Sequence, residues 1–224
     1  MPLPPPVTTA IRPAKSCMSV IVAEGQGPPQ SARPPAQGYR CRAMPDPGTS
    51  AVQRLLAHEE IRQLAHRYAV ATDARDLDAL VDLYVPDVRI SATLSGRETL
   101  RRLFDEALRR VGVTFLDVGT HQIDLAYDGE RATGIVYCRG EIQDGGPDSD
   151  RWIVQAIQYH DTYERRDGRW FFAANRRHLL VYGAELGVNP LTLPPADWPT
   201  NQTGMGSLPH DLPTWQRFWA DGPD

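Results

Sequence analysis

The sequence predicts an α+β domain in which helices gather early and pack on one face of a strongly curved, antiparallel or mixed β-sheet. Two observations carry this. Between residues 50 and 111 the apolar residues recur at helical spacing, and after Gly112 the pattern changes to strand alternation. Three Asp-Gly pairs, at 128–129, 144–145 and 167–168, then punctuate the strands as hairpin turns. Helices first and strands last place the helices together against a sheet.

Order begins near residue 50. In the first helix Leu55, Leu56, Ile61, Leu64, Ala65 and Tyr68 fit one face, with Ser50 as N-cap. Asp76 caps a second helix, whose stripe is Leu77, Leu80, Val81 and Tyr84 and which Pro86 ends. The run VRISATL alternates as a strand and breaks at Gly96. A third helix covers 97–111, with Leu100, Leu103, Phe104, Leu108 and Val111 on one side. Four strands follow, at 113–127, 131–143, 151–165 and 169–182.

The domain proper is expected over 48–182. Residues 1–47 hold 11 of the 20 prolines and no hydrophobic period, so they read as a disordered leader. A translation start at Met44 explains that segment equally well. From 183 to 224 the chain is rich in proline, glycine and tryptophan. Trp198, Trp215, Phe218 and Trp219 are too many large aromatics for a free tail, so this extension is expected to lie across the domain or a partner subunit, favouring a homodimer.

Composition excludes several classes of function. The 224 residues are 41% hydrophobic and 23% charged, enough for a packed core. Net charge is −4, which argues against a nucleic-acid surface, and no apolar run is long enough to span a membrane. Lys15 is the only lysine, so the domain has neither a Schiff-base lysine nor a phosphate-loop lysine. Cysteines 17, 41 and 138 form no disulfide framework or metal-ligand spacing, which points to a reducing cytoplasm, and Cys138 reads as a buried small hydrophobe. The motifs HExxH, CxxC, GxSxG and GxGxxG are absent, and no metal or cofactor is expected. The arginine-rich turn at 165–169 reads as a solvated hairpin end.

The segments YAVATDARDLDALVDLYVPD, GERATGIVYCRGEI and YHDTYERRDGRWFFAANRRH, in this element order, resemble the SnoaL-like branch of the nuclear transport factor 2-like superfamily. The resemblance covers roughly residues 52–182. It implies a cone-shaped sheet wrapped around three helices with a central apolar pocket. The superfamily includes polyketide cyclases, dehydratases, ketosteroid isomerases and non-enzymatic members, so the fold alone selects no activity. The expectation is a cofactor-independent lyase or isomerase acting by proton transfer on a hydrophobic oxygenated molecule such as a steroid or polyketide. The alternative is a non-catalytic binding or interaction module of the same fold.

In the dehydratase branches the first helix ends in an aspartate that orients a histidine from the first long strand, often with a tyrosine one turn earlier. Asp73 and Tyr68 match the aspartate and the tyrosine. The histidine position falls on Asp117 in one register and on Leu116 in the other, with His121 farther on. Asp73 is therefore the candidate base or orienter, its pKa raised by desolvation. Tyr68 is the candidate hydrogen-bond donor, and Asp117 or His121 the second proton carrier. Tyr84, Tyr159, Asn175, Arg177 and His178 are candidate substrate-binding residues. Asn175 and Arg177 share one face of the last strand, Arg176 and His178 the other, and only one face can line the pocket.

Overall fold

The computed structural model describes residues 51–193 and 209–223. The leader at 1–47, the cap Ser50 and Trp198 lie outside the described residues. Helix α1 (Ala51–Asp73) buries Ile61, Leu64, Ala65 and Tyr68, while Leu55 and Leu56, expected on the same stripe, are exposed near its start. Arg75 turns the chain with φ of 56°, in the left-handed region that a non-glycine residue adopts only with compensation. Asp76 then caps α2 (Leu77–Asp82), its carboxylate accepting from the Ala79 N–H at 3.0 Å.

Tyr84 departs from the expected helical stripe. It opens a strand, β1 (Tyr84–Arg89), which contains Pro86 and pairs in parallel with β5 (Arg169–Ala174). Proline forces the preceding residue out of the helical region, and an edge strand tolerates its missing N–H. The strand expected over VRISATL is accordingly displaced. Beyond Arg89 the chain turns back, with the Ser91 hydroxyl accepting from the N–H groups of Thr93 and Leu94. Helix α3 (Arg97–Leu108) follows and buries Leu100, Phe104 and Leu108.

Strands β2 (Val111–Leu125), β3 (Arg131–Asp144) and β4 (Trp152–Arg166) form an antiparallel meander. The strand expected at 169–182 is two strands. β5 pairs residues 163–166 of β4, and β6 (Arg177–Leu186) pairs residues 152–160, with Asn175 and Arg176 at the break between them. The result is a curved, unclosed six-stranded sheet in the order β1-β5-β4-β3-β2, with β6 alongside β4. Its inner face carries Ala132, Val136, Cys138, Ile142, Ile157, Tyr159 and Tyr163, which pack against α1 and α3 in one core.

The chain ends in α4 (Pro213–Ala220). Phe218 joins the main core, and Trp215 packs with Val113, Trp152 and Val154. Among the described residues no helix is long and apolar enough to cross a membrane.

Candidate active site

Asp73 is the last residue of α1 and lies beside β2. Thr114 donates its hydroxyl to Oδ1 at 2.7 Å, and the Leu116 N–H donates to Oδ2 at 3.0 Å. Burial pushes the Asp73 pKa up to about 6, against the opposing pull of these two donors and of Arg75. No histidine donates to the carboxylate among the described residues.

One turn back on α1, the buried Tyr68 faces the interior. Its ring meets Phe104, Tyr159 and Phe172 edge-on, with centroids 5.9–6.2 Å apart. Burial raises its phenol to about 12, so it keeps its proton and can donate. The thiol of Cys138, on the inner face of β3, is likewise pushed up to about 12 by burial.

The second charged centre is at the β5–β6 break. Arg176 donates Nε and Nη2 to the two oxygens of Asp161 at 2.9 and 2.8 Å, a bidentate pair with side chains 2% and 0% exposed. Burial works against charge on Arg176, but the Asp161 carboxylate outweighs it and the net direction is upward. The guanidinium lies 3.9 Å from the ring centre of Tyr159 and 4.5 Å from that of Tyr68. Its Nη1 has no hydrogen-bond partner, nor do the buried hydroxyls of Tyr84 and Tyr159. Three donors thus remain unused within the aromatic interior, a condition that a buried ligand oxygen relieves.

A β-bulge decides which residues of β2 face the site. Val118 pairs with Cys138, but His121 pairs with Val136, so β2 spends one residue more than β3 across this interval. Before the bulge Thr114, Leu116 and Val118 face inward, and Asp117, opposite Arg139, faces solvent. Past it, His121 faces inward. The sequence-based pairing of Asp73 with Asp117 therefore does not form, because Asp117 projects from the opposite side of the sheet. Leu116 holds the inner position beside Asp73.

His121 belongs to the Arg176 centre. Asp161 can only accept, so Tyr163 gives its one hydroxyl proton to Asp161 Oδ2 at 3.0 Å and must accept from His121 Nε2, also at 3.0 Å. This assigns the Nε2–H tautomer and leaves a lone pair on Nδ1, which is buried without a partner. Burial drives the His121 pKa down to about 4, so the ring is neutral near pH 7. Gly134 permits this approach, since a Cβ there would lie 3.0 Å from the Tyr163 ring and 3.1 Å from His121 Nε2.

Of the alternative faces on the last strand, the inner one carries Arg176 and His178, both buried, the latter stacked on Tyr159 at 5.4 Å. Arg177 is exposed, a correction to its expected pocket position, and Asn175 is partly buried with its N–H donating to the Arg89 carbonyl. The strand break settles this, because Arg176 turns inward where β4 changes partners. Sequence reasoning missed Arg75, Thr114, Asp161 and Tyr163. A signal existed for the last two, since Tyr159, Asp161 and Tyr163 share a face by the period of two. Among the described residues no three His, Cys, Asp or Glu side chains are grouped to hold a metal.

No curated protein matches the sequence. Solved structures do match in fold. Hexachlorocyclohexane dehydrochlorinase LinA-type3 from Novosphingobium barchaimii is 21% identical with a TM-score of 0.55, over 65% of this chain and 100% of that one. A type 2 hexachlorocyclohexane dehydrochlorinase is 24% identical with a TM-score of 0.53, over 65% and 99%. A protein from Novosphingobium aromaticivorans described as a candidate scytalone dehydratase is 17% identical with a TM-score of 0.52, over 62% and 94%. The SnoaL-like domain family matches residues 53–176, more than half of the sequence, and the chain belongs to that family.

Proposed function

We propose that this chain is a cofactor-independent lyase or isomerase of the dehydratase or cyclase type, with Asp73 as general base. The observation that carries the reading is the pairing of a carboxylate whose pKa is raised to about 6 with an interior of unused donors, Arg176 Nη1 and the Tyr84 and Tyr159 hydroxyls. A base near neutrality suits proton abstraction from carbon. Unused donors in an aromatic interior suit the oxygen on which charge then accumulates. The fold is shared with proteins named as dehydrochlorinases, which accords with elimination chemistry.

In this mechanism Asp73 removes a proton next to a carbonyl. The C–H electron pair moves into the carbon framework and onto the oxygen, which takes hydrogen bonds from Arg176 and from Tyr68 or Tyr159. In a dehydration the enolate collapses, the adjacent C–O bond breaks, and the proton on Asp73 leaves with the hydroxyl as water. In an isomerisation Asp73 returns the proton to another carbon. The neutral His121, with its free Nδ1 lone pair, is a further acceptor for a ligand hydroxyl. The apolar and aromatic side chains around these groups favour a hydrophobic, oxygenated molecule such as a steroid or polycyclic polyketide.

Leu116 favours the second reading, a binding module without turnover, because it stands beside Asp73 where the dehydratase branches place a histidine. Solvent-deuterium exchange separates the two. Wild type and Asp73→Asn are incubated in D2O with a panel of cyclic ketones and β-hydroxy ketones, and label is followed by NMR. Exchange or elimination by wild type that Asp73→Asn loses supports the enzyme. Ketone binding by wild type with neither exchange nor elimination supports the module.

A further inference from the structure

Thr114 lies between two charged side chains, and hydrogen-bond direction there is fixed by chemistry. Arg75 can only donate, and it gives Nη1–H to Thr114 Oγ1 at 3.0 Å. With one lone pair so occupied, the hydroxyl gives its single proton to Asp73 Oδ1 at 2.7 Å. The Leu116 N–H takes the other oxygen, so each carboxylate oxygen is held by one donor and the group cannot rotate freely. Charge on Arg75 polarises the hydroxyl it donates to, and a polarised hydroxyl is a stronger donor to the next acceptor in the chain.

Arg75 is itself held through both terminal nitrogens, while its buried Nε has no hydrogen-bond partner. It is 2% exposed, and it donates to the carbonyls of Thr72, Val111 and Gly112 as well as to Thr114. Those bonds compensate its left-handed backbone. The face of the guanidinium is covered by Trp215 of α4, whose ring centre lies 4.6 Å away. Trp215 in turn is fixed among Val113, Trp152 and Val154. A contact thus runs from the C-terminal helix through Arg75 and Thr114 to Asp73.

We propose that Thr114, polarised by Arg75 beneath Trp215, is the positioning residue of Asp73, and that α4 thereby tunes the base. The proposal rests on the reading of Asp73 as the base. It makes the C-terminal extension a working part of the site as well as a packing element.

The test reads the Asp73 carboxyl directly. Aspartate-labelled protein is titrated by carbon-13 NMR, with Asp73→Asn identifying the resonance, beside a pH profile of the ketone exchange. Thr114→Val keeps the branched shape and removes the donor, so the midpoint should rise by about one to two pH units. Thr114→Ser keeps the hydroxyl and should stay near the wild-type midpoint. Trp215→Leu, which uncovers Arg75 while keeping an apolar side chain, should shift the midpoint in the same direction as Thr114→Val and covers the case in which that variant fails to fold. Wild-type midpoints in the folded Thr114→Val or Trp215→Leu protein would overturn the proposal. Shifted midpoints with no exchange by any variant, wild type included, would uphold the positioning of Asp73 and remove its reading as a base.

Discussion

Leu116 meets Asp73 through its backbone, the N–H donating to Oδ2 at 3.0 Å, while its side chain occupies the inner face of β2. The aspartate is thereby satisfied by the main chain and by Thr114, and among the described residues no histidine donates to it. On the proposed reading, a carboxylate so placed acts as the base itself, in contrast to one that only orients another.

Asp73→Asn should lower turnover by ~10² to 10⁴, the range for general acid–base catalysis. Ligand affinity should change much less, because the lost interaction belongs to the transition state. Steady-state kinetics and calorimetry on one preparation check both. Normal turnover in this variant would move the base to His121 or His178.

Two opposite slopes should appear in stability against pH. The folded pKa of Asp73, raised to about 6, lies above its unfolded value, so its contribution is greatest below about pH 4 and is lost as pH rises through 6. The folded pKa of His121, depressed to about 4, gives a contribution present above about pH 6.5 and lost as pH falls toward 4. Each amounts to at most about 3 kcal/mol, less where solvent still reaches the group. In the wild type they oppose one another. Chemical denaturation from pH 4 to 8 should show Asp73→Asn losing stability in acid and His121→Gln gaining it. Parallel profiles would contradict the assigned environments.

Asp161→Asn strands the Arg176 cation in an aromatic interior. Removing one partner of a buried ion pair costs about 3 to 5 kcal/mol. For a chain of this size that lowers the melting temperature by roughly 6 to 20 °C. Replacing both partners, as in Asp161→Asn with Arg176→Met, should recover part of the loss, since the two sites are coupled. A double variant as unstable as the sum of its singles would show that the pair is not energetically linked.

We propose a homodimer that uses the outer face of β6, where Val181 and Tyr182 are 57% and 61% exposed. The C-terminal aromatics, first expected to supply such a surface, are partly withdrawn from it, because Trp215 and Phe218 are buried in their own domain. Light scattering at micromolar concentration should give twice the chain mass, and Tyr182→Glu should give the monomer. A monomeric wild type would remove the proposal.

The order of elements was legible in the sequence because each signal is local. The hairpin turns at Asp128-Gly129 and Asp167-Gly168, the cap at Asp76 and the helical spacing up to Tyr68 each depend on neighbours a few residues away. Asp73 was singled out by its match to the family motif, since an acid at the end of an apolar helix reads by itself as a residue making local hydrogen bonds. The facing of side chains was not legible. Alternation reports a face only while the ladder is unbroken, and one extra residue between Val118 and His121 inverts it, sending Asp117 outward and His121 inward. The break at Asn175–Arg176 acts in the same way, turning Arg176 onto Asp161 and leaving Arg177 exposed. Burial of Arg75 depends on Thr114 and on Trp215, partners 39 and 140 positions along the chain, which only the closed tertiary structure brings within reach of one guanidinium.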